Sequence, residues 1–208
     1  RPFPLERVLT RIKGVVEADR RNKVFYVIDS EFIGPTKNYD DFETSMERTE
    51  DFARGILQIN KELGLRGDEA IMIANASVRV DTLVSDSPYR QRRMKRVFKL
   101  LKRAGFRKLY LGIESGSDKQ LQRYGKGVSV RQNEKAIRLA RKLGFDCEPG
   151  FIFFDPLAAV EELKDNVDFI ARMRLHKVDS RIFGALRLQA GKTILDCLGI
   201  KEDEIEAG

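Results

Sequence analysis

The stretch Lys108-Leu-Tyr-Leu-Gly-Ile-Glu-Ser-Gly-Ser-Asp118 is an apolar run that breaks at Gly112 and turns at once to Glu114 and Ser115. A carboxylate in that place can accept two hydroxyl hydrogen bonds, as from a ribose. Ser115 or Ser117 can also cap the helix that the pattern predicts at 118–124, and the two roles are compatible. The same change from apolar to polar recurs along the chain. Asp29, Ser30 and Glu31 end one run; two carboxylates there can bind an amine or a metal ion or act as acid and base, and Asp29 can equally cap the next turn. Arg79 and Asp81 leave another run, offering a guanidinium to a carboxylate or phosphate, or pairing with each other.

The further features are weaker. Gly125-Lys126-Gly127 places a cation on a flexible turn but lacks the glycine spacing and preceding strand of a phosphate loop. Phe151-Ile-Phe-Phe-Asp-Pro156 can set apolar backbone beside a flat ring, although most such phenylalanines are core. His176 is the only histidine, which argues against a multi-histidine zinc site or a triad hydrolase. Cys147 and Cys197 have neither CxxC spacing nor the number needed for a metal motif or a disulfide framework, so the chain supplies no metal ligand set of its own.

These residues need elements to hold them. Runs at 23–32, 70–81, 108–118, 146–156 and 180–191 start with buried-strand composition, and amphipathic segments of helical length separate them. Leu5, Val8, Leu9, Ile12, Val15 and Val16 share a face behind Pro4. A helix over 41–63 ends at Gly64, Ser129 can cap one running to Gly144, and another covers about 159–173. Apolar strands joined by crossover helices imply an α/β fold with a parallel sheet covered on both faces, and the polar strand ends then converge on one binding face. Because a crossover helix normally follows a strand of its sheet, a chain opening on a helix is expected to lack its first strand.

One domain over 1–208 is the simplest reading, with an acidic tail at about 201–208. Hydrophobic residues at 42% and charged residues at 34% fit a water-soluble globular protein. No apolar run nears the roughly 18 residues of a membrane span, and no signal pattern opens the chain, so no membrane partner and a cytoplasmic location are expected. The net charge of +7 is concentrated between Tyr89 and Lys108, where ten Arg or Lys residues occur without an acid. Met94, Val97, Phe98, Leu101 and Ala104 recur there at helical spacing, which predicts an amphipathic helix with a basic outer face. That face is either simply solvated or, through Arg92, Arg93 and Arg96, a contact for RNA or another polyanion.

LYLGIESGSDKQLQRYGKGVS resembles the fourth-strand region of radical S-adenosylmethionine (radical SAM) enzymes. FYVIDSEF and SVRVDTL are similar to that family's second and third strand segments, FIFFDPLAAVEELKDNVDFI to its fifth strand and following helix, and FGALRLQAGKTIL to its sixth. The resemblance implies a partial TIM-like (β/α)6 barrel whose parallel strands present S-adenosylmethionine at their C-terminal ends, for cleavage to a 5′-deoxyadenosyl radical. Asp29 and Ser30 would face the cofactor's amino group, Arg79 its carboxylate or a neighbouring substrate, and Glu114, with Ser115, the ribose. Lys126 would approach the methionine carboxylate, and Ile152 and Phe153 the adenine. Asp29 stands where many relatives have glutamate, and Ala158-Ala159 where they have a polar pair.

The family holds a [4Fe–4S] cluster on a CxxxCxxC loop after its first strand, as thiolate ligation requires. No such loop occurs here, so the cluster's ligands are expected outside this chain. The expected function is that of the downstream part of an oxidoreductase-like or methyl-transferring radical SAM enzyme, in the style of members with a cobalamin-binding domain upstream. The alternative is a cluster-less barrel serving as a binding or scaffold module, with RNA as one partner. An aldolase-like barrel would need a lysine aimed inward from a strand, and Lys108 starts its strand at the wrong end.

Overall fold

The computed structural model describes residues 4–29, 31–34 and 36–177. The strand expected at 180–191, the acidic tail, Ser30 and Cys197 lie outside the described residues. Elements alternate as α1 (Leu5–Ala18), β1 (Val24–Tyr26), α2 (Tyr39–Glu62), β2 (Met72–Val78), α3 (Val80–Leu83), α4 (Pro88–Arg103), β3 (Phe106–Glu114), α5 (Asp118–Arg123), α6 (Val130–Lys142), β4 (Asp146–Phe151) and α7 (Val160–Met173). The strands form one parallel sheet in the order β1-β2-β3-β4, consistent with the expected partial TIM-like arrangement. The first expected strand is shorter than its apolar run. It is three residues long, and after Val27 donates to Asn75 O at 3.2 Å the chain leaves the ladder.

Two compact units divide the chain, one of residues 1–111 with 138–147, the other of 112–137 with 148 onward. In the first, β1 lies beside β2 with Val24 opposite Met72, and β2 beside β3 with Ile73 opposite Phe106 and Val78 opposite Leu111. Gly105, at φ +100°, opens β3. A Cβ there would collide with Ile71 O, so only glycine lets the strands approach. Phe32, Phe52 and Phe106 form a ring cluster with centroids 5.3 to 5.9 Å apart, beside the fully buried Ile56, Ile73 and Leu109. Asn38 caps α2 by accepting from Asp41 N at 2.8 Å, and Ser87 caps α4 ahead of Pro88.

The basic segment does form an amphipathic helix, α4, with Met94, Val97, Phe98 and Leu101 buried. One of its cations is buried too. Arg93 is 9% exposed and bonds α2 through Glu50 at 2.6 Å and Glu43 at 3.3 Å. It therefore belongs to the α2–α4 packing and not to the outward basic face with Arg92 and Arg96.

The second unit carries the end of β3, α5, the start of α6, most of β4, and α7. Ser129 caps α6 as expected, its hydroxyl accepting from Gln132 N at 3.3 Å. Phe151 of β4 stacks on Phe169 of α7 with centroids 6.1 Å apart. A Cβ on Gly116 would run into Phe169, with Cγ at 2.7 Å, so this glycine admits α7 to the turn after β3. No described helix is long and apolar enough to cross a membrane.

Candidate functional site

Glu114, the last residue of β3, has φ +62°, an unusual conformation for a residue with a side chain. The turn around it is closed by Ser115 N donating to Ile113 O at 2.8 Å. Asn133 of α6, fully buried, donates from Nδ2 to Ile113 O at 2.9 Å and to Ser115 O at 3.1 Å, so one amide spans both flanks of the strained residue. Glu114 O accepts from Ile152 N at 2.8 Å. Conformations of this kind persist only where neighbours over-determine them, and they cluster at ligand sites.

The turn sends neighbouring side chains opposite ways. Ser115 is fully buried; its hydroxyl donates to Gln120 Oε1 at 2.6 Å and accepts from Ser117 N at 2.9 Å. Asn166 of α7 completes the network by accepting from Gly116 N at 2.7 Å and donating to Gln120 at 2.8 Å. The Ser115 hydroxyl therefore serves the fold, and Glu114 alone of the pair faces outward.

The Glu114 side chain is 20% exposed, and its Oε1 accepts from Lys126 Nζ at 2.7 Å. Lys126 rides between two left-handed glycines, Gly125 at φ +62° and Gly127 at φ +65°. Gly112 clears the space beneath the pair, since a Cβ there would stand 3.0 Å from Glu114 Oε1 and 3.6 Å from Lys126 Nζ. The pair presents a carboxylate with lone pairs left for hydroxyl donors and an ammonium with two protons left for an anion. Beside it, Ile152 is partly buried, and Phe153 is buried edge-on to the exposed Phe154, centroids 4.9 Å apart.

An ion cluster that composition did not reveal fastens this end of β4. Arg123 donates to Asp155 at 2.8 and 3.1 Å and to Glu162 at 3.0 and 3.2 Å. Tyr124 donates to Asp155 at 3.0 Å, and Glu162 accepts from Ala159 N at 2.9 Å, the reciprocal half of a capping box. Glu162 is held below the usual carboxylate range, foremost by its bonds to Arg123. At Asp155 burial pushes upward most strongly, but Leu157 N, Arg123 and Tyr124 together outweigh it and hold the carboxyl low.

In the first unit, Arg79 follows β2 and grips Asp81 with Nε at 2.9 Å and Nη2 at 2.6 Å, while Glu31 lies 3.8 Å away. Arg79 and Asp81 thus pair with each other, as their spacing allows. Glu31 is raised above the ordinary value by burial, which the Arg79 charge only partly offsets. Asp29 is exposed in the loop after β1 and makes no ion pair among the described residues. Within this unit Glu31 is thus the second carboxylate near Arg79, after Asp81. His176 is exposed.

The Glu114–Lys126 cradle suits a ligand with both hydroxyl and carboxylate groups. Thiolate donors are another matter. Burial pushes the Cys147 thiol up to about 11, and among the described residues no group of His, Cys, Asp and Glu could hold a metal ion. The described residues do not fit a cluster.

The model of the Radical SAM superfamily matches residues 50–170, spanning β2 to β4 and their helices. This chain belongs to the radical SAM superfamily. It is 32% identical over 183 residues to 4′-phospho-dehydrooxetanocin synthase of Priestia megaterium, covering 83% of this chain and 22% of that protein. It superposes on the cobalamin-dependent S-adenosylmethionine radical enzyme OxsB, solved with aqua-cobalamin and S-adenosylmethionine bound, with TM-score 0.70 and 26% identity over 100% of this chain and 27% of that one. The radical S-adenosylmethionine methyltransferase TsrM of Kitasatospora setae, solved with cobalamin and a [4Fe-4S] cluster, shares the fold at TM-score 0.55 and 14% identity, over 82% of this chain and 29% of that one. The radical SAM chain described here thus spans less than a third of each of these proteins.

Proposed function

We propose that this radical SAM chain forms part of an S-adenosylmethionine-binding barrel of an enzyme that modifies its substrate or transfers a methyl group, working with a [4Fe–4S] cluster held by residues outside the described set and with cobalamin in a further domain. The observation that carries the proposal is the Glu114 turn: a strained backbone, braced by Asn133, turning a carboxylate outward onto Lys126 above Gly112. S-adenosylmethionine supplies a weak carbon–sulfur bond, and the roles assigned to this chain are all binding and orientation. Glu114 accepts the ribose hydroxyls. Lys126 shares one proton with Glu114 and directs the others to the methionine carboxylate. Ile152 and Phe153 line the adenine, with the Arg123 cluster holding the loop behind them. At the ends of β1 and β2, Arg79 serves a ligand carboxylate and the Asp29–Glu31 turn an amino group; Glu31 joins this assignment because it is the acid of that turn that lies within 3.8 Å of Arg79. The relatives' activities, together with the strength of the family match, favour an enzyme over a scaffold.

The test is calorimetric titration of anaerobically prepared full-length protein with S-adenosylmethionine and with S-adenosylhomocysteine. Glu114→Ala is expected to weaken both by about 1–3 kcal/mol, the scale of hydrogen bonds to a charged group. Unchanged affinity removes Glu114 from the site and the proposal with it.

A further inference from the structure

On the outer side of the first unit a groove of about 590 Å³ runs between α2 and α4. Arg54 lines it from α2, and Arg92, Lys95, Arg96, Lys99 and Arg103 line it from α4. All six are exposed. The one acid at the groove, Glu50, is already bound to Arg93 at 2.6 Å and lies 3.6 Å from Arg96. Arg54, Leu100 and Arg103 continue into a second hollow that ends at Lys61. From Arg92 to Arg103 the cations follow α4 for about 16 Å at the rise of a helix.

We infer that this groove binds the phosphate backbone of a nucleic acid without reading its bases. The lining is a row of cations, four of them arginines, whose planar fork pairs with phosphate oxygens two at a time. No aromatic side chain lines it, so stacking on bases has no platform. An acidic protein would need apolar or aromatic anchors at the centre of its contact, and Leu100 is the only apolar side chain in the main hollow. A lipid surface would need an apolar face to insert, and the apolar face of α4 is already buried in the core. Charge along the row, with phosphate contacts and no base contacts, gives sequence-independent and strongly salt-dependent binding. Arg93, which the sequence grouped with Arg92 and Arg96, holds the two helices together and is no part of the contact.

Fluorescence anisotropy with a labelled single-stranded RNA of roughly 20 nucleotides and mixed sequence tests this across a salt series. The groove variant is Arg92→Glu/Lys99→Glu/Arg103→Glu. The control, Arg131→Glu/Lys135→Glu/Lys142→Glu on exposed positions of α6, changes the net charge equally. The groove variant should lose at least about tenfold in affinity and reduce the salt slope by roughly 2–3, while the control keeps both. A neutral set, Arg92→Gln/Lys99→Gln/Arg103→Gln, gives the same order without new acids should the reversed helix fail to fold. Equal losses in groove and control variants, no binding by the unaltered protein at low salt, or equally strong competition by polyglutamate or phosphatidylserine vesicles each overturn the inference. Because it involves only the first unit, its failure leaves the Glu114 site untouched.

Discussion

A methyl group added at Gly112 would stand 3.0 Å from Glu114 Oε1 and 3.6 Å from Lys126 Nζ. The first contact is too close and the second ordinary, so the carboxylate must swing a few tenths of an ångström from its position against Lys126. The strand itself has no objection. Gly112 is not among the glycines with positive φ, and glycine-to-alanine changes at compatible backbone positions stabilise by about 0.4–1 kcal/mol through the unfolded chain. Gly112→Ala should therefore leave thermal stability within about 1 kcal/mol of the parent. Binding should respond differently. Misaligning a hydrogen bond to a charged group loses part of the roughly 1.5–3 kcal/mol such a bond contributes, so Kd should rise by about 3- to 10-fold, less than for Glu114→Ala. The assay pairs a thermal melt with titration by S-adenosylmethionine. Unchanged Kd refutes the view that Gly112 exists to clear the pair. A collapse in stability refutes it from the other side, by making Gly112 a packing glycine like Gly116.

Asn133→Ala removes both bonds that brace the Glu114 turn and leaves a buried carbonyl short of a donor, so unfolding free energy should fall by about 2–4 kcal/mol in urea titrations, with ligand affinity falling beyond what the lost stability explains. Equal affinity per folded molecule would separate Asn133 from the site. Arg123→Met strands Asp155 and Glu162 in a buried position and should cost about 3–5 kcal/mol. Both carboxyls are lowered in the folded state, so their stabilisation is complete above about pH 4–5 and is lost as pH falls through the folded values. With the guanidinium gone those values rise toward or above the unfolded ones, so the two carboxyls contribute less to the acid-side decline and that limb should flatten. Urea midpoints from about pH 3 to about pH 7 check this, and an unchanged acid limb would deny Arg123 its role.

The order of elements is legible in the chain because apolar runs and amphipathic segments alternate without ambiguity, and the cap at Ser129 is local chemistry. The end of β3 is legible for the same reason: Gly-Ile-Glu-Ser breaks an apolar run with a carboxylate. What the sequence conceals is direction and distance. Nothing in Ser115 says that its hydroxyl turns inward, because that follows from a positive φ at Glu114, a residue type that gives no hint of it. Arg93 reads as one more surface cation, since the acids that bury it, Glu43 and Glu50, lie a helix and a strand earlier. Arg123 joins Asp155 and Glu162 across more than 30 positions, a pairing that no periodicity encodes. Asp29 and Glu31 are both plausible from spacing alone, and only the fold sets Glu31 near Arg79.

The burial of Arg93 divides the labour on α4. Since Arg93 and the buried apolar side chains beside it dock the helix, the exposed cations of the groove can be gained, lost or exchanged over evolutionary time with little penalty to folding. The charge on that face is accordingly a dial that descendants of this protein can turn independently, adapting what the outer surface attracts while the inner chemistry stays as inherited.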